Sequence, residues 1–350
     1  MTARSRPSAT DAPVRLALVG LGDIAWSAHL PALLRSDSVD LVALAEPDAD
    51  RLRRGGEAVG PDVHLAADLG AVLEAGAGAP AVDGVVLATP PWVTTTLASQ
   101  ALRAGVYVLA EKPIATSLAA AEPLAGLGPD LLGRLQVGLT YRHDPALERL
   151  RWWIRDGPLD GPLLLRAHIY DERLDPADRA HERRLRTTLD HGPPVVHEGA
   201  HVFDWLAYLL DAPPAVADAW AVRTDPTFGT PNLVGARLTY PGGTTALCEF
   251  GWLTASLPRC ELSVLGQRGH AVLDGFTFRL RLDTGDGART VEFPGSRTER
   301  CFDRQLDRFV DLVRGRAERA VPGWSEGIAA LRLSEQIAAG VDTYETKRWS

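Results

Sequence analysis

Cysteine is scarce: the 350 residues hold only Cys248, Cys260 and Cys301, with no C-x-x-C pair. An odd count without such pairs indicates neither a disulfide framework nor a cysteine-ligated zinc. Lysine is scarcer still. Lys112 and Lys347 stand alone among 37 basic residues, so the one internal lysine asks why a titratable amine sits where arginine is the habit of the chain. Excess positive charge is also missing. Asp and Glu outnumber Lys and Arg by 45 to 37, a net charge of −8, which excludes a chain whose main task is to coat nucleic acid or an anionic membrane. Apolar runs such as Val85 to Ala88 are strand-sized, far short of the roughly 20 residues of a membrane span. Residues 1–13 are polar and contain proline, with no apolar signal region. They read as a flexible leader, and a reducing cytoplasm is the expected compartment.

What is present is an ordinary globular composition, 45% hydrophobic and 23% charged, long enough for two domains. The first part alternates. Strands are expected at Val14–Val19, Val39–Ala45, near Val63, at Gly84–Ala88, Val106–Ala110 and near Arg134–Gly138. Helices are expected at Ile24–Arg35, Asp68–Ala75, Thr94–Ala104 and Leu118–Leu127. Alternation at this spacing implies a doubly wound parallel sheet covered on both faces. Beyond Gly138 the pattern changes to a helix near Pro145–Asp156, a strand at Pro162–Tyr170, a helix at Val195–Leu210, strand-like segments joined by Gly turns from Ala215 to Leu282, and helices at Arg300–Arg314 and Glu326–Ala339. Short turns between strands imply a mostly antiparallel, open sheet. The expectation is an α/β chain with a Rossmann domain at 14–138 and an α+β domain for substrate and oligomerisation at 139–350.

Two motifs carry chemistry in the first domain. Gly20-Leu21-Gly22-Asp23-Ile24-Ala25 follows the first strand and opens the first helix. Its glycines permit a tight turn and close approach of the backbone to a pyrophosphate, and the helix start offers amide donors. Glu46 ends the second strand, 24 residues after Gly22, about where a carboxylate meets the adenosine ribose and repels a 2′-phosphate. NAD is therefore expected ahead of NADP. Ala110-Glu111-Lys112-Pro113 ends the fifth strand, and ligands of open α/β sheets bind beyond the carboxyl ends of strands.

These segments, with Ala88-Thr89-Pro90-Pro91, the run from Ala101 to Val108 into Glu-Lys-Pro, the stretch Tyr141 to Pro145 and the helix bearing His201, resemble the glucose-fructose oxidoreductase / inositol dehydrogenase (Gfo/Idh/MocA) family from about Val14 to the last helix. The resemblance implies hydride transfer between a nicotinamide and a secondary alcohol or ketone of a sugar, sugar derivative or cyclitol. It implies a homodimer or homotetramer through the C-terminal sheet. Lys112 matches the family lysine that holds the reacting hydroxyl, and His201 the histidine that exchanges its proton. Gly20, Gly22, Asp23, Ile24, Glu46, Thr89, Pro90, Trp92, Glu111 and Lys112 are expected at the cofactor. Arg142, Tyr170, His191, His197 and His201 are expected, with Lys112, at a small polyhydroxylated substrate.

The helix departs from the family pattern Asp-x-x-x-His. Here it reads His197-Glu198-Gly199-Ala200-His201, placing two imidazoles one turn apart on one face. If both line the site, like-charge coupling keeps one neutral, as a base requires, and makes His197 a catalytic partner of His201. Read literally, the same residues are H-E-x-x-H, in which two histidines bind zinc and Glu198 is the base. No glutamate occurs from Val202 to Cys248, so Asp218 or Asp225 would have to supply a third ligand, and no metal is expected. Two further readings stay open: transient oxidation by bound NAD that permits elimination or glycosidic cleavage, and a non-catalytic NAD- or sugar-sensing regulator.

Overall fold

The structure is a computed structural model that describes residues 12–74, 80–175, 177–256 and 259–345. The chain divides into two compact units. Of the described residues, the first holds those up to Ala115, Ala119–Gly138 and Thr298–Glu326; the second holds Thr116–Leu118, those of Leu139–Arg297 and those from Gly327 on. Among the described residues no helix is long and apolar enough to cross a membrane.

The first unit runs β1 (Val14–Val19), α1 (Leu30–Arg35), β2 (Val39–Ala45), α2 (Ala49–Val59), β3 (His64–Ala66), α3 (Leu69–Leu73), β4 (Gly84–Leu87), α4 (Pro91–Arg103), β5 (Tyr107–Glu111), α5 (Glu122–Ala125), α6 (Pro129–Leu132) and β6 (Leu135–Gly138). The six strands form one parallel sheet in the order β3-β2-β1-β4-β5-β6. The central strands are buried on both sides, as an apolar run such as Val85-Val86-Leu87 requires. Because the chain reverses its direction of winding between β1 and β4, a crevice opens past their carboxyl ends, beside Gly20 and Ala88.

Two local expectations change. The helix expected from Ile24 starts as a wide π-type segment, Ala25–His29, before α1; Pro31 lacks the N–H that a regular i to i−4 bond to Ser27 would need. The helix expected at Leu118–Leu127 is reduced to the four residues of α5, and the equally short α6 follows beyond its expected end; Pro123, Gly126, Gly128 and Pro129 interrupt the ladder.

The second unit contains α7 (Pro145–Arg155), β7 (Leu164–Arg173), α8 (Arg179–Leu189), α9 (Pro194–Leu210), β8 (Ala215–Val222), β9 (Leu233–Thr239), β10 (Thr245–Thr254), β11 (Cys260–Leu265), β12 (His270–Asp274), β13 (Leu280–Asp283) and β14 (Ala288–Val291). Its sheet is β14-β13-β12-β11-β7-β10-β9-β8, antiparallel except for the β7–β10 pair. Helix α9 is apolar nearly all round and lies on one face of this sheet, with Phe203 edge-on to Phe250 at 5.7 Å. Two elements are not anticipated from sequence. Helix α8 is mostly charged and buries only Leu185 and Leu189, too narrow a stripe to announce itself. Strand β14 is a short, largely exposed edge.

Two helices close the chain, α10 (Arg297–Val313) and α11 (Trp324–Glu345). Residues 298–326, counted with the second domain from sequence, pack in the first unit. There the Phe309 ring of α10 lies against Gly84 of β4, and Gln136 of β6 donates to the Gln305 carbonyl at 2.9 Å.

Candidate active site

In the first unit the site is built mainly from backbone. Gly20 has φ +88°, and a Cβ there would meet the Ala88 carbonyl oxygen at 2.6 Å, so conformation and space both demand glycine. Gly22 differs: a Cβ there would meet nothing within 4 Å. The open space over Gly22, at the switch point and beside a helix start, is a cradle that fits a pyrophosphate. Asp23 follows it, and Ile24 is exposed. Glu46 is buried, and its two carboxylate oxygens accept from Leu21 N at 2.8 Å and Asp48 N at 3.1 Å. It thus ties the glycine turn to the end of β2, a structural duty that the ribose expectation did not include.

Across the crevice, Thr89 and Thr94 share a hydroxyl hydrogen bond of 2.8 Å, and Thr94 donates to the Thr89 carbonyl. Pro90 precedes α4, whose missing first N–H donors suit Pro90 and Pro91. Trp92 stands on the first turn of α4 and is 40% exposed. Lys112 is partly buried and precedes a cis peptide to Pro113. Glu111, expected at the cofactor, has Oε1 2.7 Å from His29 Nε2 and Oε2 accepting from Lys112 N at 3.1 Å. Sequence reasoning missed His29. A buried histidine with a buried carboxylate partner leaves no local sequence signal, because the two are 82 residues apart.

In the second unit the site is built from side chains on α9. His201 is buried, and its ring lies 4.3 Å from that of Tyr141. His197, one turn earlier, is also buried but stacks on Trp252 at 5.3 Å with the planes 19° apart. The two imidazoles therefore have different aromatic neighbours. Among the described residues no group of three or more His, Cys, Asp or Glu could hold a metal, so the H-E-x-x-H spacing finds no third ligand there.

Two expected substrate residues have protein partners in the structure. Arg142 makes a two-pronged ion pair with Asp204, Nε to Oδ2 at 2.9 Å and Nη2 to Oδ1, both side chains at most a tenth exposed. Tyr170 lies next to Ile169 on β7, and successive residues of a strand face opposite ways. Ile169 faces the His201 cavity, whereas the Tyr170 hydroxyl donates to Glu249 at 3.2 Å. His191 is exposed in the turn before α9 and does not line that cavity.

The cavity has a volume of about 60 Å³ and is lined by polar groups that sequence reasoning left out, Trp205 and Arg297 among them, together with His201, Tyr141, Asp171, Glu198 and Cys260. Arg297 lies over the Tyr141 ring at 4.6 Å and donates to the Gly275 carbonyl. Burial pushes the Cys260 thiol up to about 12, with the Asp171 carboxylate adding to the effect, which favours the neutral thiol at this wall of the cavity.

Comparison with known proteins agrees with this anatomy. Residues 14–138 match the family model described as an oxidoreductase family with an NAD-binding Rossmann fold, and residues 147–272 match the GFO/IDH/MocA C-terminal domain. The rhizopine catabolism protein MocA of Rhizobium meliloti is 28% identical, over 92% of this chain and 93% of its own. An inositol 2-dehydrogenase of Saccharopolyspora erythraea is 27% identical, over 93% of each. Among solved structures, the aldose-aldose oxidoreductase from Caulobacter crescentus superposes with a TM-score of 0.80 at 23% identity, covering 95% of this chain and 98% of the other.

Proposed function

The chain belongs to the Gfo/Idh/MocA family of oxidoreductases, and on that premise we propose that it transfers hydride between NAD and a secondary alcohol or ketone of a sugar, sugar derivative or cyclitol. The observation that carries the proposal is the open cradle over Gly22 at the switch point of a parallel sheet. Gly20, Gly22, Asp23 and Ile24 would hold the pyrophosphate, Glu46 the adenosine ribose, and Thr89, Pro90 and Trp92 the nicotinamide half. When bound, the nicotinamide supplies the hydride acceptor or donor.

The residues of this chain do the rest. The Lys112 ammonium donates a hydrogen bond to the reacting oxygen and steadies negative charge on it. The His201 imidazole accepts the hydroxyl proton on oxidation and returns it on reduction, and the Tyr141 ring fixes its plane. His197 supports that face of α9 from its place on Trp252. In this reading residues 14–138 hold cofactor, and the second unit, 139–297 with the residues from Gly327 on, holds substrate. The protein works in the cytoplasm as a homodimer or homotetramer joined through the eight-stranded sheet, which light scattering would check.

The first test is a titration with NADH and, separately, NADPH, followed by energy transfer from the nine tryptophans to the reduced nicotinamide. NADH should bind ahead of NADPH, and myo-inositol or aldoses should then be oxidised with NAD. Lys112→Ala and His201→Ala should each lower turnover by about 10²–10⁴-fold while NADH affinity stays near that of the parent. Loss of NADH binding in either variant contradicts the assigned roles.

A further inference from the structure

The cavity beside His201 holds more unspent hydrogen-bonding capacity than the proposed proton transfer uses. Trp205 is 2% exposed, and its indole Nε1 is buried with no hydrogen-bond partner among the described residues. Arg297 Nε is likewise buried and without a partner among the described residues, although the same guanidinium is held by the Gly275 carbonyl and by the Tyr141 ring. Both residues line the cavity. A donor kept dry and unmatched costs free energy, so two of them around one space call for an oxygen to accept from them.

The other walls say which oxygen. Asp171 and Glu198 contribute carboxylates, and Asp171 already accepts from Trp252 Nε1 at 3.1 Å. Two carboxylates outweigh one guanidinium, which disfavours a carboxylate or phosphate guest. A hydroxyl both accepts, from Trp205 and Arg297, and donates, to Glu198 and Asp171. Size narrows the choice further. About 60 Å³, against roughly 10–15 Å³ for one water, admits a few heavy atoms and no nucleotide. Tyr141 and the half-exposed Phe276 add apolar surface suited to C–H groups.

We propose that this cavity is a specificity subsite for a hydroxymethyl or vicinal-diol arm of an unsubstituted sugar or cyclitol, with Trp205 and Arg297 as donors and Glu198 and Asp171 as acceptors. The proposal rests on the oxidoreductase reading and names its substrate class. It places free polyols ahead of phosphorylated or nucleotide-linked sugars at this chain.

The test is calorimetry on the NADH-loaded full chain with myo-inositol, D-xylose, D-galactose and D-fucose, the last being D-galactose without its 6-hydroxyl. Trp205→Phe keeps the ring and removes the N–H; Glu198→Gln alters a partly exposed position and stands in if the first variant misfolds. Each should weaken the polyol that the parent binds by about tenfold with NADH affinity unchanged, and Trp205→Phe should narrow the preference for hydroxylated over deoxy ligands. Unchanged polyol affinity in both variants overturns the subsite and leaves the redox reading standing, since the cavity then holds only water. Binding of a sugar phosphate or nucleotide sugar in place of every free polyol also overturns it. A parent that binds no NADH removes the redox reading and the subsite with it.

Discussion

The two units carry their candidate chemistry on different material. In the first it lies in main-chain geometry: a positive-φ glycine against a carbonyl, a second glycine over open space, and amides tied down by Glu46. In the second it lies in side chains of α9 and its neighbours, His197 on Trp252, His201 on Tyr141, Asp204 on Arg142. The difference teaches where each unit is vulnerable. A backbone site is lost by adding an atom, whereas a side-chain site is lost by removing one.

The largest expected effect comes from removal. Asp204 and Arg142 are nearly dry, with side-chain exposures of 1% and 10%, so taking away either partner strands a charge in the interior. Asp204→Ala should destabilise the second unit by about 3–5 kcal/mol, read as a shift in urea unfolding followed by tryptophan fluorescence. A shift below about 1 kcal/mol would show that the pair behaves as a solvated one and that α9 is held by apolar packing alone.

Addition should act next, and selectively. Gly22→Val places its side chain in open space, so folding should survive while NADH binding falls by about a hundredfold or more. Gly20→Ala should do the reverse in part: its Cβ falls 2.6 Å from the Ala88 oxygen at φ +88°, and it should lose stability before any effect on cofactor is read. If Gly22→Val keeps its NADH affinity, the phosphate-turn assignment fails and with it the contrast between the units.

The same contrast explains what could be read in the sequence. Backbone motifs are local: Gly20 and Gly22 are two residues apart, and strand alternation gives the sheet its order, so the Rossmann topology and its turn were legible. The side-chain site is assembled from distant segments. Arg142 gives no sign in sequence of its partner Asp204, which lies 62 residues on. Tyr170 looked available because a strand end resembles a site edge, although alternation sends its ring away from Ile169. Trp205 and Arg297 carried no motif at all; only the fold brings α9, β7 and the start of α10 around one cavity. Helix α8 was invisible because two leucines make no periodic stripe.

The smallest expected effect separates Tyr170 from the site by pH. Burial first, and then the Glu249 charge, raise its phenol from 10.0 to about 12, so the folded state prefers the neutral form that donates to Glu249. The unfolded phenol ionises near 10, and the folded one does not until about 12. This contribution is therefore complete below pH 10 and is lost as the pH climbs to about 12. Because the Glu249 side chain is 37% exposed, solvent screening leaves an effect on the order of 1 kcal/mol. Tyr170→Phe should flatten the alkaline decline in stability by that amount, measured by denaturant titration across this window, and should leave the pH profile of turnover where it was. A shifted turnover profile would return Tyr170 to the substrate site, and would mean that the β7 face opposite Ile169 also meets the reaction.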